Sequence, residues 1–151
     1  MNIPQAVILN ADQDLGYSDW LTITQDMITQ FGKVTLDGDD PMHNDPVWSK
    51  EEGPFGTIVS YGFLTISLLT HFSHQITKHE LLKYALNYGF DRLRIISPVP
   101  VGSRIRAHFV TGDVEVRSDG GRKTKINVTI EIEGREKPAL TAEWLSISYP
   151  N

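Results

Sequence analysis

The segment "INVTIEIE" (Ile126 to Glu133) constrains the fold more than any other stretch of the chain. Ile126, Val128, Ile130 and Ile132 fall on one face and Asn127, Thr129, Glu131 and Glu133 on the other. This period of two marks a β-strand with a dry side and a wet side. A strand that is dry on one side needs partners beside it and an apolar layer against it. The turn-rich pieces "SDGG" (Ser118 to Gly121) and "EGRE" (Glu133 to Glu136) bracket it, which predicts antiparallel hairpins to "SRIRAHFVTGDVEVR" before it and "PALTAEWLSISY" after it. In the earlier partner the apolar residues Ile105, Ala107 and Phe109 change parity to Val110, Val114 and Val116, and a bulge near Gly112 accounts for the slip.

The apolar layer is expected from "FGTIVSYGFLTISLLTHF" (Phe55 to Phe72), the most hydrophobic segment of the chain. Ser60, Gly62, Thr65, Ser67 and Thr70 interrupt it, so it lacks the run of about 18 apolar residues that a membrane span requires. A buried helix of roughly five turns, at ~3.6 residues per turn, fits it better. Gly53-Pro54 and Gly56 precede it, and its first turn is placed near Tyr61-Gly62. Upstream, "LTIT" (Leu21 to Thr24) reads as a short strand. Thr24 then caps a helix whose apolar residues Met27, Ile28, Phe31 and Val34 recur at helical spacing. The expected plan is α+β: one central helix wrapped by an antiparallel meander.

At 151 residues the chain suits one domain spanning 1–151, with one active unit. A formal net charge of −5 disfavours nucleic acid or an anionic membrane surface as a partner, because either needs a basic patch. With no cysteine there is neither a disulfide nor a thiolate metal site. The opening "MNIPQAVILNADQDLG" lacks the pattern of a signal peptide, which makes the cytoplasm the expected location.

The chemistry-bearing stretch is "VTLDGDDPMHNDP" (Val34 to Pro46), where Asp37, Asp39, Asp40 and Asp45 surround His43. From residue types alone it is an acid/base centre, a metal site or an acidic turn. A calcium loop counted from Asp37 fails, since Met42 stands where Gly is needed and Trp48 where a bidentate Glu is needed. His71, His74 and His79 lack the spacing of a zinc motif and suit the C-terminal end of the central helix, whose dipole favours them. His108 shares a strand with Ala107 and Phe109 but faces the other way, as a structural histidine would. Arg104 and Arg106, and Lys123 and Lys125, are either solvated strand positions or contacts for a phosphate.

Three segments in order, "TLDGDDPMHNDP", "GPFGTIVSYGFLTISLLT" and "NYGFDRLRIISPVPVGSRIRA", resemble the MaoC-like dehydratases of the NodN type over roughly residues 20 to 148. The resemblance implies the hotdog fold, a central helix enclosed by an antiparallel sheet. It also implies action on thioesters of coenzyme A or acyl carrier protein: hydration of a trans-2-enoyl group to the 3-hydroxyacyl group, or the reverse. No cofactor beyond the substrate's own carrier is implied. A homodimer is expected, with sheets paired edge to edge and the site near the interface.

The family's catalytic Asp lies five positions before its His, and here that position is Gly38. The T-x-D entry instead matches Thr35-Leu36-Asp37, so the resemblance implies a one-residue insertion with Asp37 and His43 as the catalytic pair. Asp39 and Asp40 remain alternatives, Asp40 falling at the family's Asn position as a substrate-binding candidate. Tyr61 stands where many relatives have His before the helix glycine. The backbone of Gly62 carries the role of polarising the thioester carbonyl. Hydration needs a base for water, an acid for the α carbon and a donor for the carbonyl oxygen, and His43, Asp37 and the Gly62 N–H supply those types. The competing expectations are a non-catalytic acyl-binding or partner subunit, which the insertion keeps open, and a thioesterase on the same fold.

Overall fold

The computed structural model describes residues 9–77 and 82–151. In chain order the elements are β1 (Asp14–Tyr17), β2 (Leu21–Thr22), α1 (Gln25–Thr35), α2 (Pro41–Asn44), α3 (Pro46–Glu51), α4 (Gly62–Ser67), α5 (Leu69–Ser73), β3 (Leu82–Ile95), β4 (Arg104–Val116), β5 (Arg122–Ile132) and β6 (Leu140–Pro150). The strands form one sheet in the order β1-β4-β5-β6-β3, with β2 also paired to β4. Every strand pairing is antiparallel. This is the α+β hotdog arrangement that the resemblance implies.

The period-two reading of β5 holds: Ile126, Val128, Ile130 and Ile132 are all buried. They join Ile105, Ala107 and Phe109 of β4 and Leu140, Ala142 and Trp144 of β6 in one core with Leu64, Leu69 and Phe72 of the central helix. Phe72 and Phe109 are almost fully enclosed, and burying a side chain of that size stabilises by about 1.5–3 kcal/mol. The parity slip in β4 is a register shift between Thr111 and Val114, around Gly112 as expected.

The central helix departs from its expected length. It runs as α4 and α5 joined at Leu68, whose φ of −75° and ψ of −7° loosen the turn between them. Residues 62–73 give about three turns rather than five. Ser and Thr side chains in this stretch bond back to helix carbonyls, Ser67 Oγ to Phe63 O at 2.7 Å and Ser73 Oγ to Thr70 O at 2.9 Å. Such back-bonding competes with the regular ladder and bends helices. His71 lies in α5 and His74 at its C-terminal end, as expected, whereas His79 lies outside the described residues.

Two further expectations need amendment. Val34 continues the apolar spacing of α1, yet it is 78% exposed, because only Met27, Ile28 and Phe31 of that set turn toward the core. Arg104 and Arg106 do not stand free for a phosphate. They pair with Glu133 and Glu131 at 2.9 Å each and lie over the Trp20 ring, with Arg106 also over Tyr17. Lys123 and Lys125 are likewise held by Glu115 and Asp91. His108 faces away from the core, where it stacks on Tyr17 and meets Asp14 at 2.9 Å.

Candidate active site

The acidic loop is built by two Asp-Pro pairs. Asp40 caps α2, its carboxylate accepting from Met42 N at 2.9 Å, and Pro41 opens the helix. Asp45 caps α3, accepting from Val47 N and Trp48 N at 2.9 Å each, and Pro46 opens that one. Aspartate supplies the missing acceptor at a helix start, and proline loses nothing there because its absent N–H would have no partner. Two of the four carboxylates are therefore engaged in holding short helices. Among the described residues no group of three or more His, Asp or Glu converges as a metal site.

The loop enters through a turn that closes α1. Leu36 takes a left-handed conformation (φ 62°), with its N–H bonded to Lys33 O and that of Asp37 to Gly32 O at 2.9 Å. This pairing satisfies the last carbonyls of the helix and reverses the chain toward His43. The Asp37 side chain is exposed, but its backbone carbonyl turns inward and accepts from the Tyr61 hydroxyl at 2.7 Å.

His43 sits on α2 with its ring between two fixed groups. Its Nδ1 lies 2.6 Å from Val59 O, and its ring packs on that of Tyr61 with centroids 3.7 Å apart. A carbonyl can only accept, so Nδ1 carries the proton and Nε2 of the neutral ring holds the lone pair. Val59 is itself fixed, since the flanking residues pair with the strand connection through Ser60 N to Val99 O at 2.8 Å and Val101 N to Ile58 O at 2.9 Å.

Tyr61 is buried and precedes the central helix as its N-cap residue, but it gives no side-chain cap. Its hydroxyl points away to Asp37 O and accepts from Asn44 Nδ2 at 3.3 Å. The N–H of Gly62, first in the helix, has no acceptor within the helix or from its cap. Burial pushes the Tyr61 hydroxyl pKa above the ordinary tyrosine range. The Asn44 hydrogen bond opposes this, and the negative charges of Asp37 and Asp40 add to it.

A cavity of about 380 Å³ opens beside this arrangement, lined by His43, Gly62, Met42, Phe55, Thr65, Ile95, Pro98 and Leu140 among others. The structure thus brings His43 and Gly62 to one cavity, with Tyr61 behind the imidazole. Asp37 and Asp40 are not among the lining residues, although their charges reach Tyr61. Gly62 makes a close approach possible, since a Cβ there would fall 2.5 Å from Ile95 Cδ1.

Several supporting residues escaped the sequence reading. Asn44 ties the loop together by donating to Gly38 O at 3.0 Å and to Tyr61, while Thr29 Oγ1 of α1 donates to its side-chain oxygen at 3.2 Å. Gln25 Nε2 holds His43 O at 3.0 Å. Gly32 leaves space for the Tyr61 hydroxyl, which would lie 2.6 Å from a Cβ at that position. Polar residues on α1 facing the loop were the available signal, and it shows only once the loop is known to fold back on that helix.

The sheet encloses a helix whose first residue, Gly62, lines the same mostly apolar cavity as His43, so a helix-start backbone N–H and an imidazole adjoin one space. The chain belongs to the MaoC like domain family, which it matches over residues 8–133. It is 44% identical to nodulation protein N of Rhizobium meliloti over 140 residues, covering 92% of this chain and 86% of that protein. It is 41% identical to 3-hydroxyacyl-thioester dehydratase Z of Mycobacterium tuberculosis over 134 residues, covering 88% and 87%. Its fold matches that of an (R)-hydratase from A. caviae with a TM-score of 0.72 at 20% identity, covering 94% of this chain and 98% of the other.

Proposed function

We propose that this protein is a hydro-lyase acting on acyl thioesters, adding water to a trans-2-enoyl thioester of coenzyme A or acyl carrier protein, or removing it from the 3-hydroxyacyl thioester. The observation that carries this reading is the shared cavity of His43 and Gly62 in a chain of this family. With Nδ1–H committed to Val59 O, Nε2 of His43 takes a proton from water as the oxygen bonds to C3 of the enoyl group. Electron density moves to the thioester oxygen, where the Gly62 N–H stabilises it. A proton then returns at C2, and Asp37 is proposed for this transfer on the family resemblance, since its side chain is exposed and outside the cavity lining and only its backbone carbonyl meets the Tyr61 hydroxyl. Asp40 as the cap of α2 and Tyr61 behind the imidazole support the loop from outside the cavity lining, so neither is assigned a contact with the substrate.

The active form is a homodimer in this proposal. β3 is an edge strand of 14 residues that exposes Tyr84, Leu86, Tyr88 and Phe90. A long apolar edge left unpaired is a liability, and a second copy of the same edge covers it by continuing the sheet. Ile95, the last residue of β3, also lines the His43 cavity, so the interface and the site adjoin. Among the described residues no helix is long and apolar enough to cross a membrane.

The test is loss of the conjugated enoyl-thioester absorbance on mixing the protein with crotonyl-CoA and with a longer enoyl-CoA. Turnover is expected with at least one of them, and His43→Ala should lower kcat by a factor on the order of 10² or more with the fold retained. Tight binding of both thioesters with no turnover would instead identify an acyl-binding subunit, and release of free thiol a thioesterase.

A further inference from the structure

A second cavity, of about 200 Å³, lies at the opposite end of the central helix from Gly62. Leu15, Ile76, Val114, Ile126 and Trp144 give it an apolar body, while Arg122 stands at its edge with Thr124, Ser146 and Ser148. The polar end comes from the strand pattern. Arg122 and Thr124 share the inward parity of Ile126 on β5, and they pair across the sheet with Ser148 and Ser146 of β6. The inner face of the sheet is therefore apolar toward the catalytic end and turns polar at this one.

The unusual member is Arg122. Its Nη1 is buried and has no hydrogen-bond partner, and among the described residues Arg122 has no ion pair. Its neighbours on the outward face are matched, Lys123 with Glu115 and Lys125 with Asp91. A guanidinium cannot shed its proton, and a buried, unpaired donor on a cation is costly. Retaining it beside an apolar cavity is what a site requires when the counter-charge arrives with the ligand.

We propose that this cavity takes a molecule with an apolar chain and a carboxylate end, the carboxylate pairing with the Arg122 guanidinium and the strand hydroxyls. Two sources supply that chemistry: a free fatty acid, or the far end of an ω-carboxylated acyl chain whose thioester sits at His43. The second source rests on the hydratase reading, and the first does not.

The first arm measures binding of decanoate and of 1-decanol by quenching of tryptophan fluorescence, Trp144 being in the cavity wall. Decanoate should bind the wild type about tenfold or more tighter than the alcohol, Arg122→Leu should abolish the difference, and Arg122→Lys should restore part of it. Equal affinity for acid and alcohol in the wild type would overturn the proposal even if Arg122→Leu fails to fold, and so would an unchanged preference in folded Arg122→Leu. The second arm compares enoyl-CoA substrates with and without an ω-carboxylate. A lower KM for the carboxylated one that depends on Arg122, with decanoate competing, assigns the carboxylate to the substrate's own tail. Decanoate binding that does not compete with enoyl-CoA assigns it to a free acid.

Discussion

The hydroxyl of Tyr61 donates to the backbone carbonyl of Asp37 at 2.7 Å, so the residue that opens the central helix grips the acidic loop by its main chain. With Asn44 donating to the same hydroxyl, helix start, loop and α1 form one network behind the His43 ring. Because the imidazole rests on the Tyr61 ring and its Nδ1 meets Val59 O, the network holds the plane of a ring that lines the cavity.

Tyr61→Phe keeps the ring and removes the hydroxyl. It should cost about 1–2 kcal/mol of stability by leaving Asp37 O and Asn44 Nδ2 short of a partner. The effect on kcat should be less than about tenfold, since no proton-transfer group is lost. Urea unfolding and initial rates measure the two separately. The raised pKa of Tyr61 adds a sign at alkaline pH. The folded state holds the phenolic proton more tightly than the unfolded chain does. This contribution is therefore complete below the ordinary tyrosine value of ~10 and is lost as pH rises through the raised folded value. Wild type should show this part of the alkaline decline and Tyr61→Phe should lack it.

Asp37 and Asp40 can be told apart by amide substitution. Asparagine caps a helix about as well as aspartate, so Asp40→Asn preserves α2 and tests charge alone. Asp37→Asn should reduce kcat by a factor on the order of 10² or more while Asp40→Asn changes it by less than about threefold, and Asp39→Asn should also be mild. The reverse pattern in steady-state kinetics would move the proton-transfer role to Asp40.

Leu36 combines a left-handed backbone with a side chain that is 94% exposed. An L-residue in that region is strained by roughly 1–2 kcal/mol, and glycine is not. Glycine's greater freedom in the unfolded chain returns part of this, so Leu36→Gly should stabilise by about 0.5–1 kcal/mol. The unfolding midpoint in urea should rise with an unchanged slope. Because Asp37 follows directly, unchanged kcat in the same variant would also show that the turn, rather than the leucine, positions the loop.

How far the sequence disclosed this molecule depended on whether each element has a dry side. β5 is flanked by strands on both edges and packs one face on the helix, so its alternation could be read directly. β3 could not be read in the same way. As an edge strand with most residues exposed and three register irregularities, it carries no period, and the sequence pattern marks no strand there. In the loop, the residue types around His43 pointed to chemistry. That Asp40 and Asp45 serve as caps and that Asp37 engages by its carbonyl depends on backbone direction, which composition does not encode. Asn44 went unnoticed because its partners lie on α1, in the preceding turn and at the helix start.

Gly62→Ala separates two explanations for a glycine at the head of the central helix. The added methyl would lie 2.5 Å from Ile95 Cδ1, the mobile end of a side chain that shares the His43 cavity. If the glycine serves the approach of substrate to the Gly62 N–H, activity should fall by about tenfold or more through crowding at the backbone. Adding Ile95→Val, which removes Cδ1, should then restore stability but not kcat. If the glycine only makes room for Ile95, the double variant Gly62→Ala/Ile95→Val should recover both. The first outcome is expected, and kcat and urea midpoints of the four-member cycle decide between them. Full recovery of kcat in the double variant would remove the Gly62 backbone from the proposed mechanism while leaving His43 in place.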